Sequence, residues 1–148
     1  MADSTEASIL INAPAADVID VIADFEAYPE WAKEVKNVEV LGEDGGGWAD
    51  RVTFTLDAGA VKDTYTLEYD WAIAEDGTGE VSWNLVEATM LKQLDGAYRL
   101  EAQSEDSTLV TYVLTVDIKI PMLGMLKRKA EKMIVDTALK DLKKRVEG

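Results

Sequence analysis

Two omissions define the chemistry open to this chain. It contains no histidine, which removes the commonest general base, the commonest metal ligand and every Ser-His or Cys-His arrangement. It contains no cysteine either, so thiolate nucleophiles, thiolate metal sites and disulfides are excluded. What remains is phenols, carboxylates and cations. Phe54, Tyr65, Tyr69, Trp71, Trp83, Tyr98 and Tyr112 fall on the inward positions of alternating segments, where they either fill a core or wall a pocket for a flat hydrophobic ligand. A tyrosine such as Tyr65 or Tyr98, helped by Arg99, could give a proton to an enolate or polarise a ketone. Without a cationic neighbour, a phenol of pKa about 10 is a poor base at neutral pH.

The other polar candidates carry ordinary readings beside the functional ones. Asp63, Gln93, Asp95 and Arg99 sit near strand ends or alternate with the apolar face, and solvated positions are expected for all four. Trp31, two residues after Pro29, is expected to plug one end of the fold rather than touch a ligand. Glu43, Asp44, Glu75, Asp76, Glu105 and Asp106 lie in separate turns, without the spacing of a metal-binding loop. No metal and no cofactor are expected. Met122, Met125 and Met133 on the terminal helix are flexible apolar side chains suited to the mouth of a cavity. Beside them Lys127, Arg128, Lys129 and Lys132 place four cations in six residues. That cluster is either a solvated helix face or a transient contact with anionic lipid.

Positioning these groups requires a sheet and a helix. Thr5–Ile11 reads as a first strand that ends before Pro14. Val18, Val21, Ile22 and Phe25 recur with helical spacing, and Pro29 breaks that pattern into two short helices. From Val35 onward apolar residues alternate between turn clusters. Val38 and Val40 are followed by Val52, Phe54 and Leu56, then by Val61 to Trp71, Val81 to Leu85, Leu94 to Leu100 and Val110 to Ile118. With the first strand, this makes seven. A long helix then runs from Pro121 to the end, with Leu123, Leu126, Ala130, Met133, Ile134 and Thr137 on one side and Val135, Ala138, Leu139, Leu142 and Val146 on another. The expected fold class is α+β: an antiparallel curved sheet of about seven strands wrapped around a long C-terminal helix, with two short helices after strand 1. One domain, 1–148, accounts for the whole length.

Charge narrows the partners. The net charge is −14, yet the segment from Pro121 onward carries eight basic against four acidic residues. A phosphate backbone would be repelled by most of this surface, so nucleic acid is not expected. The N-terminus is acidic where a secretory signal needs positive charge, and no apolar run reaches the ~18 residues of a membrane span. A cytoplasmic location is the expectation.

Several stretches carry a resemblance: Asp24-Phe25-Glu26-Ala27-Tyr28-Pro29-Glu30-Trp31, the valines at 35, 38 and 40, Leu94-Asp95-Gly96-Ala97-Tyr98-Arg99-Leu100, and the tail from Pro121 to Glu131. In these and in its order of elements, the chain resembles the START-like (SRPBCC) superfamily, and within it the polyketide cyclase/dehydrase and lipid-transport family, close to small actinobacterial cyclase/dehydrase-like proteins. The resemblance implies a helix-grip fold with a deep cavity for apolar molecules such as lipids, sterols or polyketides. It transfers no catalytic motif. The leading expectation is binding or carriage of a lipid-like or polyketide-like molecule by Phe54, Tyr65, Trp83, Tyr98, Met122, Met125 and Met133. The alternatives are a cyclase or dehydratase acting by shape with a tyrosine and Arg99, and a protein-interaction module using the basic helix.

Overall fold

A computed structural model describes residues 4–32, 34–57, 62–118 and 124–148, with the side chains of residues 118 and 124–127 left out. Strand β1 (Thr5–Ile11) leads into helix α1 (Ala15–Ala23), a single 3-10 turn (Phe25–Ala27) and the short helix α2 (Tyr28–Trp31). Six strands follow: β2 (Val35–Glu43), β3 (Ala49–Asp57), β4 (Lys62–Ile73), β5 (Gly79–Ala88), β6 (Leu91–Ser104) and β7 (Ser107–Ile118). Helix α3 (Gly124–Glu147) closes the chain. The expected elements are therefore present, with β4, β5 and β6 longer than their apolar alternation marks. Pro121, Met122 and Leu123, expected to open the last helix, and Val61, expected in β4, lie outside the described residues.

All seven strands form one antiparallel sheet in the order β1-β7-β6-β5-β4-β3-β2. Consecutive strands pair by hairpins, and β1 closes on β7, with Ile9 opposite Val110. Alternation sends Val52, Phe54 and Leu56 of β3, Tyr65 and Leu67 of β4, Val81 and Trp83 of β5, and Val110, Tyr112, Leu114 and Val116 of β7 to the covered face. Threonines paired across strands, such as Thr53 with Thr66 at 2.8 Å, hold part of the opposite face. Opposite the step from Thr66 to Leu67, Val86 of β5 is an extra, unpaired residue that shifts the β4–β5 register, and such a bulge bends the strand that carries it.

Two glycines are required by close approach. Gly77, at φ +90°, turns β4 into β5 so near α1 that a Cβ there would lie 2.5 Å from the Ala16 nitrogen. Gly96 is paired with Trp83 across β5 and β6, and a Cβ would sit 2.7 Å from the indole Cζ2 and 2.5 Å from the Val113 carbonyl. The Trp83 ring thus lies over the space that a side chain at 96 would occupy.

Helix α3 packs chiefly on β1 and β7, and touches α1 and α2. Its buried stripe is Val135, Leu139 and Leu142, at i, i+4 and i+7. Glu131 is only 1% exposed; one carboxylate oxygen accepts from the Thr5 hydroxyl at 3.1 Å and the other from the Val116 amide at 2.8 Å. At the other end, Lys143 donates to the Leu10 carbonyl at 2.8 Å, and the Asn12 amide donates to Glu147 at 2.9 Å. The helix is thereby pinned along one edge of the sheet. Helix α1 meets β6 and β7, and the side of the sheet built from β3 and β4 is reached by Phe25 of the 3-10 turn, packed on Phe54 and Tyr69, and by Tyr28, packed on Phe54. No helix among the described residues is long and apolar enough to cross a membrane.

Candidate functional site

The gap between the pinned helix and the far half of the sheet is a cavity of about 110 Å³. From the sheet it is walled by Phe54, Leu56, Tyr65, Leu67, Tyr69, Trp83, Leu94, Tyr98 and Tyr112; from the helices by Ile22, Tyr28, Trp31, Ile134, Ala138 and Asp141; Ala32, Glu34 and Val35 complete it. Alternation on five adjacent strands produces this wall, because each strand sends every second side chain to the same face. The rings form a continuous layer: Tyr98 and Tyr112 have centroids 4.6 Å apart, Trp83 and Tyr98 5.5 Å, Tyr69 and Trp83 5.8 Å, and Phe54 and Tyr65 5.5 Å. Phe25, itself buried, backs Tyr69 at 4.9 Å and Tyr28 at 5.1 Å.

Of the residues expected to line a cavity, Phe54, Tyr65, Trp83 and Tyr98 stand in this wall. Met122 and the Met125 side chain lie outside the described residues. Met133 is corrected: it is 54% exposed and not part of the wall, because burial of Val135, Leu139 and Leu142 turns position 133 toward solvent. The helix faces the cavity with Ile134, Ala138 and Asp141 instead. Trp71, one of the inward aromatics, packs outside the cavity, stacked on Trp48 at 4.6 Å with its indole N–H donating to the Ala49 carbonyl at 2.7 Å.

Five phenols surround the space, and they are all the tyrosines of the chain. The Tyr28 hydroxyl donates to the Ile22 carbonyl and so ties α2 back onto α1. The hydroxyls of Tyr65, Tyr69, Tyr98 and Tyr112 have no hydrogen-bond partner among the described residues. Burial pushes all five phenols well above their ordinary range, and mutual repulsion among the phenolates adds to the shift of Tyr28, Tyr65, Tyr69 and Tyr98. At neutral pH they are un-ionised donors and acceptors. The same burial makes them weak acids, since a phenolate left by proton transfer would be stranded in apolar surroundings.

Two further polar atoms sit at the outer end. Trp31 Nε1 and Asp141 Oδ2 are buried without a hydrogen-bond partner among the described residues. Both residues also line an outer hollow of about 470 Å³ with Glu30, Lys144, Arg145 and Gly148. They therefore stand where the cavity meets this hollow. Trp31, expected to be a plug, packs its ring 4.9 Å from Tyr28 and forms the cavity's outer wall. Asp141 carries no sequence signal beyond its charge. Its place seven residues after Ile134 and three after Ala138, on an otherwise apolar flank, could have marked it.

The remaining polar candidates divide. Asp63 is buried rather than solvated, and accepts from the amides of Thr64, Thr89, Met90 and Leu91 at 2.7–3.1 Å. Burial alone would raise its pKa, but these four donors outweigh it and hold the carboxyl below its usual range. Its role is to fasten the β5–β6 turn to the start of β4. Asp95 is half-buried, accepting from the Leu85 amide at 3.0 Å and the Gln93 side chain at 2.9 Å. Arg99 lies on the outer face, as expected, 3.1 Å from Glu80 and 3.8 Å from Glu6, and so points away from the tyrosines that an enzymatic role would have it assist. In the basic cluster Lys132 pairs with Asp136 at 2.8 Å, Arg128 and Lys129 are exposed, and the Lys127 side chain lies outside the described residues. No group of three or more potential metal ligands occurs among the described residues.

Comparison with solved structures places this geometry in a known fold. A START superfamily protein from Mycobacterium smegmatis is similar over 97% of both chains, with a TM-score of 0.88 and 22% identity. The Zhui aromatase/cyclase from Streptomyces sp. R1128 is similar over 99% of this chain and 94% of its own, at TM-score 0.80 and 17% identity. A protein from Thermus thermophilus is similar over 97% of both chains, at TM-score 0.78 and 25% identity. These likenesses establish the helix-grip-like START fold. Residues 11–143 match the family described as Polyketide cyclase / dehydrase and lipid transport, and the chain belongs to that family.

Proposed function

We propose that this protein binds a hydrophobic, ring-bearing small molecule non-covalently in the cavity between sheet and terminal helix, to sequester or deliver it. The observation that carries this reading is the wall itself: apolar and aromatic surface interrupted by four phenol hydroxyls that no described residue satisfies. These hydroxyls open on the space rather than being sealed in the protein, and hydroxyls lining a pocket are met by water or by polar atoms of an occupant, so an occupant that offers apolar surface and a few polar atoms fits better than a purely aliphatic one. Size limits it. An apolar cavity of ~150 Å³ takes benzene, so about 110 Å³ admits roughly one ring. Larger ligands, in the range of pockets of about 300–1,000 Å³, would extend past Trp31 into the outer hollow or displace the unpinned flank of α3.

Binding is favoured over catalysis because the described lining residues include no cation to stabilise an enolate and the phenols among them are held un-ionised. Arg99, the cation considered for an enzymatic role, is engaged by carboxylates outside. Contact with an anionic membrane is disfavoured, since Lys132 pairs with Asp136 and the net charge of −14 opposes approach. The test is titration with a polarity-sensitive apolar fluorophore. One-to-one binding that weakens about tenfold or more in Trp83→Ala or Tyr98→Ala is expected; a probe that binds both variants as it binds the wild type would overturn the assignment.

A further inference from the structure

The cavity and the outer hollow share two lining residues among those described, Trp31 and Asp141. Trp31 ends α2, a helix of a single turn in which no residue is fully buried and no side chain caps the first amides. The chain is fastened on either side of this residue. At the start of the turn the Tyr28 hydroxyl donates to the Ile22 carbonyl, and beyond its end the Asp57 amide donates to the Glu34 carbonyl at 2.7 Å. Between these points the Trp31 side chain is held by packing alone: its ring lies 4.9 Å from that of Tyr28, and its indole N–H has no hydrogen-bond partner among the described residues. Trp71, by contrast, is anchored through its indole N–H to the Ala49 carbonyl. A ring without a polar anchor, on a turn with no fully buried residue, belongs to the part of a fold that opens at low cost.

Among the described residues, α2 makes one hydrogen bond to the terminal helix, and the residue next to Trp31 makes it. Glu30 accepts from Arg145 at 3.3 Å, and both side chains are exposed. Arg145 follows Asp141 by four residues, so the two share a face of α3. That face therefore carries both the second residue bordering the two spaces and the cation that holds the turn bearing the first.

We infer that Trp31 is a lid between the outer hollow and the cavity, and that the Glu30–Arg145 ion pair is the strap that keeps it shut. The ligand passes when the pair parts and the indole swings aside. This rests on the binding function proposed above and adds to it the route by which the cavity fills and empties. The strap is closed in the empty and the loaded protein alike, so breaking it speeds entry and exit by one factor and leaves their ratio, the affinity, unchanged. A side chain that only touches the ligand acts differently: its loss changes the exit rate and the affinity together, with entry unaltered.

Fluorobenzene is neutral, suits a cavity of one ring, and reports its exchange with the full chain by fluorine NMR. Arg145→Gln and Glu30→Gln should each speed entry and exit about two- to fivefold, the worth of an exposed ion pair, with Kd unchanged within about twofold. The reversed pair, Glu30→Arg with Arg145→Glu, should bring exchange back toward the wild-type rate. Added salt should speed exchange in the wild type and not in Arg145→Gln, because it screens the strap. Trp31→Ala should raise the entry rate by about tenfold or more, even though it removes part of the wall. Wild-type rates in Arg145→Gln overturn the strap, and a wild-type entry rate in Trp31→Ala overturns the lid; both results leave the cavity reading intact. Failure of fluorobenzene to bind the wild-type protein overturns the binding function, and the lid with it.

Discussion

Ala138→Leu separates a working cavity from an imperfect core. Ala138 lies on the flank of α3 that faces the space, between Ile134 and Asp141, so a leucine there grows into the cavity without disturbing the Val135, Leu139 and Leu142 stripe. Filling all of a cavity of about 110 Å³ would recover roughly 2.6 kcal/mol at about 24 cal/mol per Å³. The three added carbons, at ~0.8 kcal/mol each, give a similar ceiling of about 2.4 kcal/mol. Strain from imperfect fit takes back about 1 kcal/mol or more, and exchanging alanine for leucine in a helix is almost neutral. The net expectation is a gain of about 1 kcal/mol, a rise in Tm of roughly 2–4 °C for a chain of this size, together with at least a tenfold loss of apolar-probe affinity. Thermal unfolding followed by circular dichroism and the probe titration read the two effects on the same sample. A variant that melts lower and still binds the probe would show that position 138 does not face the binding space, and would refute the placement of the cavity.

Three further outcomes follow from the packing. Tyr65, Tyr98 and Tyr112 are buried and Tyr28 and Tyr69 half-buried, and desolvation raises the pKa of all five, so the stability they contribute is fully present below the unfolded value of about 10 and is lost as pH climbs beyond it, at up to about 1.4 kcal/mol per tyrosine per pH unit; ultraviolet titration should show the phenolates emerging together with unfolding, and five independent titrations near pH 10 in a folded protein would contradict this. Asp63→Ala removes the acceptor for four amides and should cost about 3 kcal/mol. Because the Asp63 carboxyl is lowered in the folded state, its contribution is present above the ordinary carboxylate range and lost as pH falls through the folded value, so the stability gap between wild type and variant should narrow in acid; a gap independent of pH would refute the role. Gly96→Ala should destabilise by about 1–3 kcal/mol and weaken probe binding, since the new Cβ would meet both the Val113 carbonyl and the Trp83 ring; unchanged tryptophan fluorescence and affinity would contradict that contact.

The sheet is legible in the sequence because alternation with period two states which side chains share a face, and five of the cavity's walls are strands. Phe54, Tyr65, Trp83 and Tyr98 can be chosen on that ground alone. The terminal helix is less legible. Its apolar residues occupy more than one side, and sequence does not say which side the sheet takes; pinning through Glu131, Lys143 and Glu147 decides it, and this rotation exposes Met133. Asp63 misleads for a related reason: a carboxylate on an apolar face looks solvated until the amides of the β5–β6 turn, some 26 to 28 residues away, are brought to it. Trp31 and Asp141 lie 110 positions apart in the chain. Only the packing of α2 beside α3 joins them.

Whether the cavity carries a hydrophobic small molecule is decided most simply by native mass spectrometry of the protein isolated from its own organism. The expected spectrum holds a population heavier than the polypeptide by one ligand mass, lost on denaturation and extractable into organic solvent as a ring-bearing molecule that rebinds the stripped wild-type protein but not Ala138→Leu. A single mass equal to the polypeptide, from protein that also fails to bind apolar probes one-to-one, would contradict carriage in this cavity.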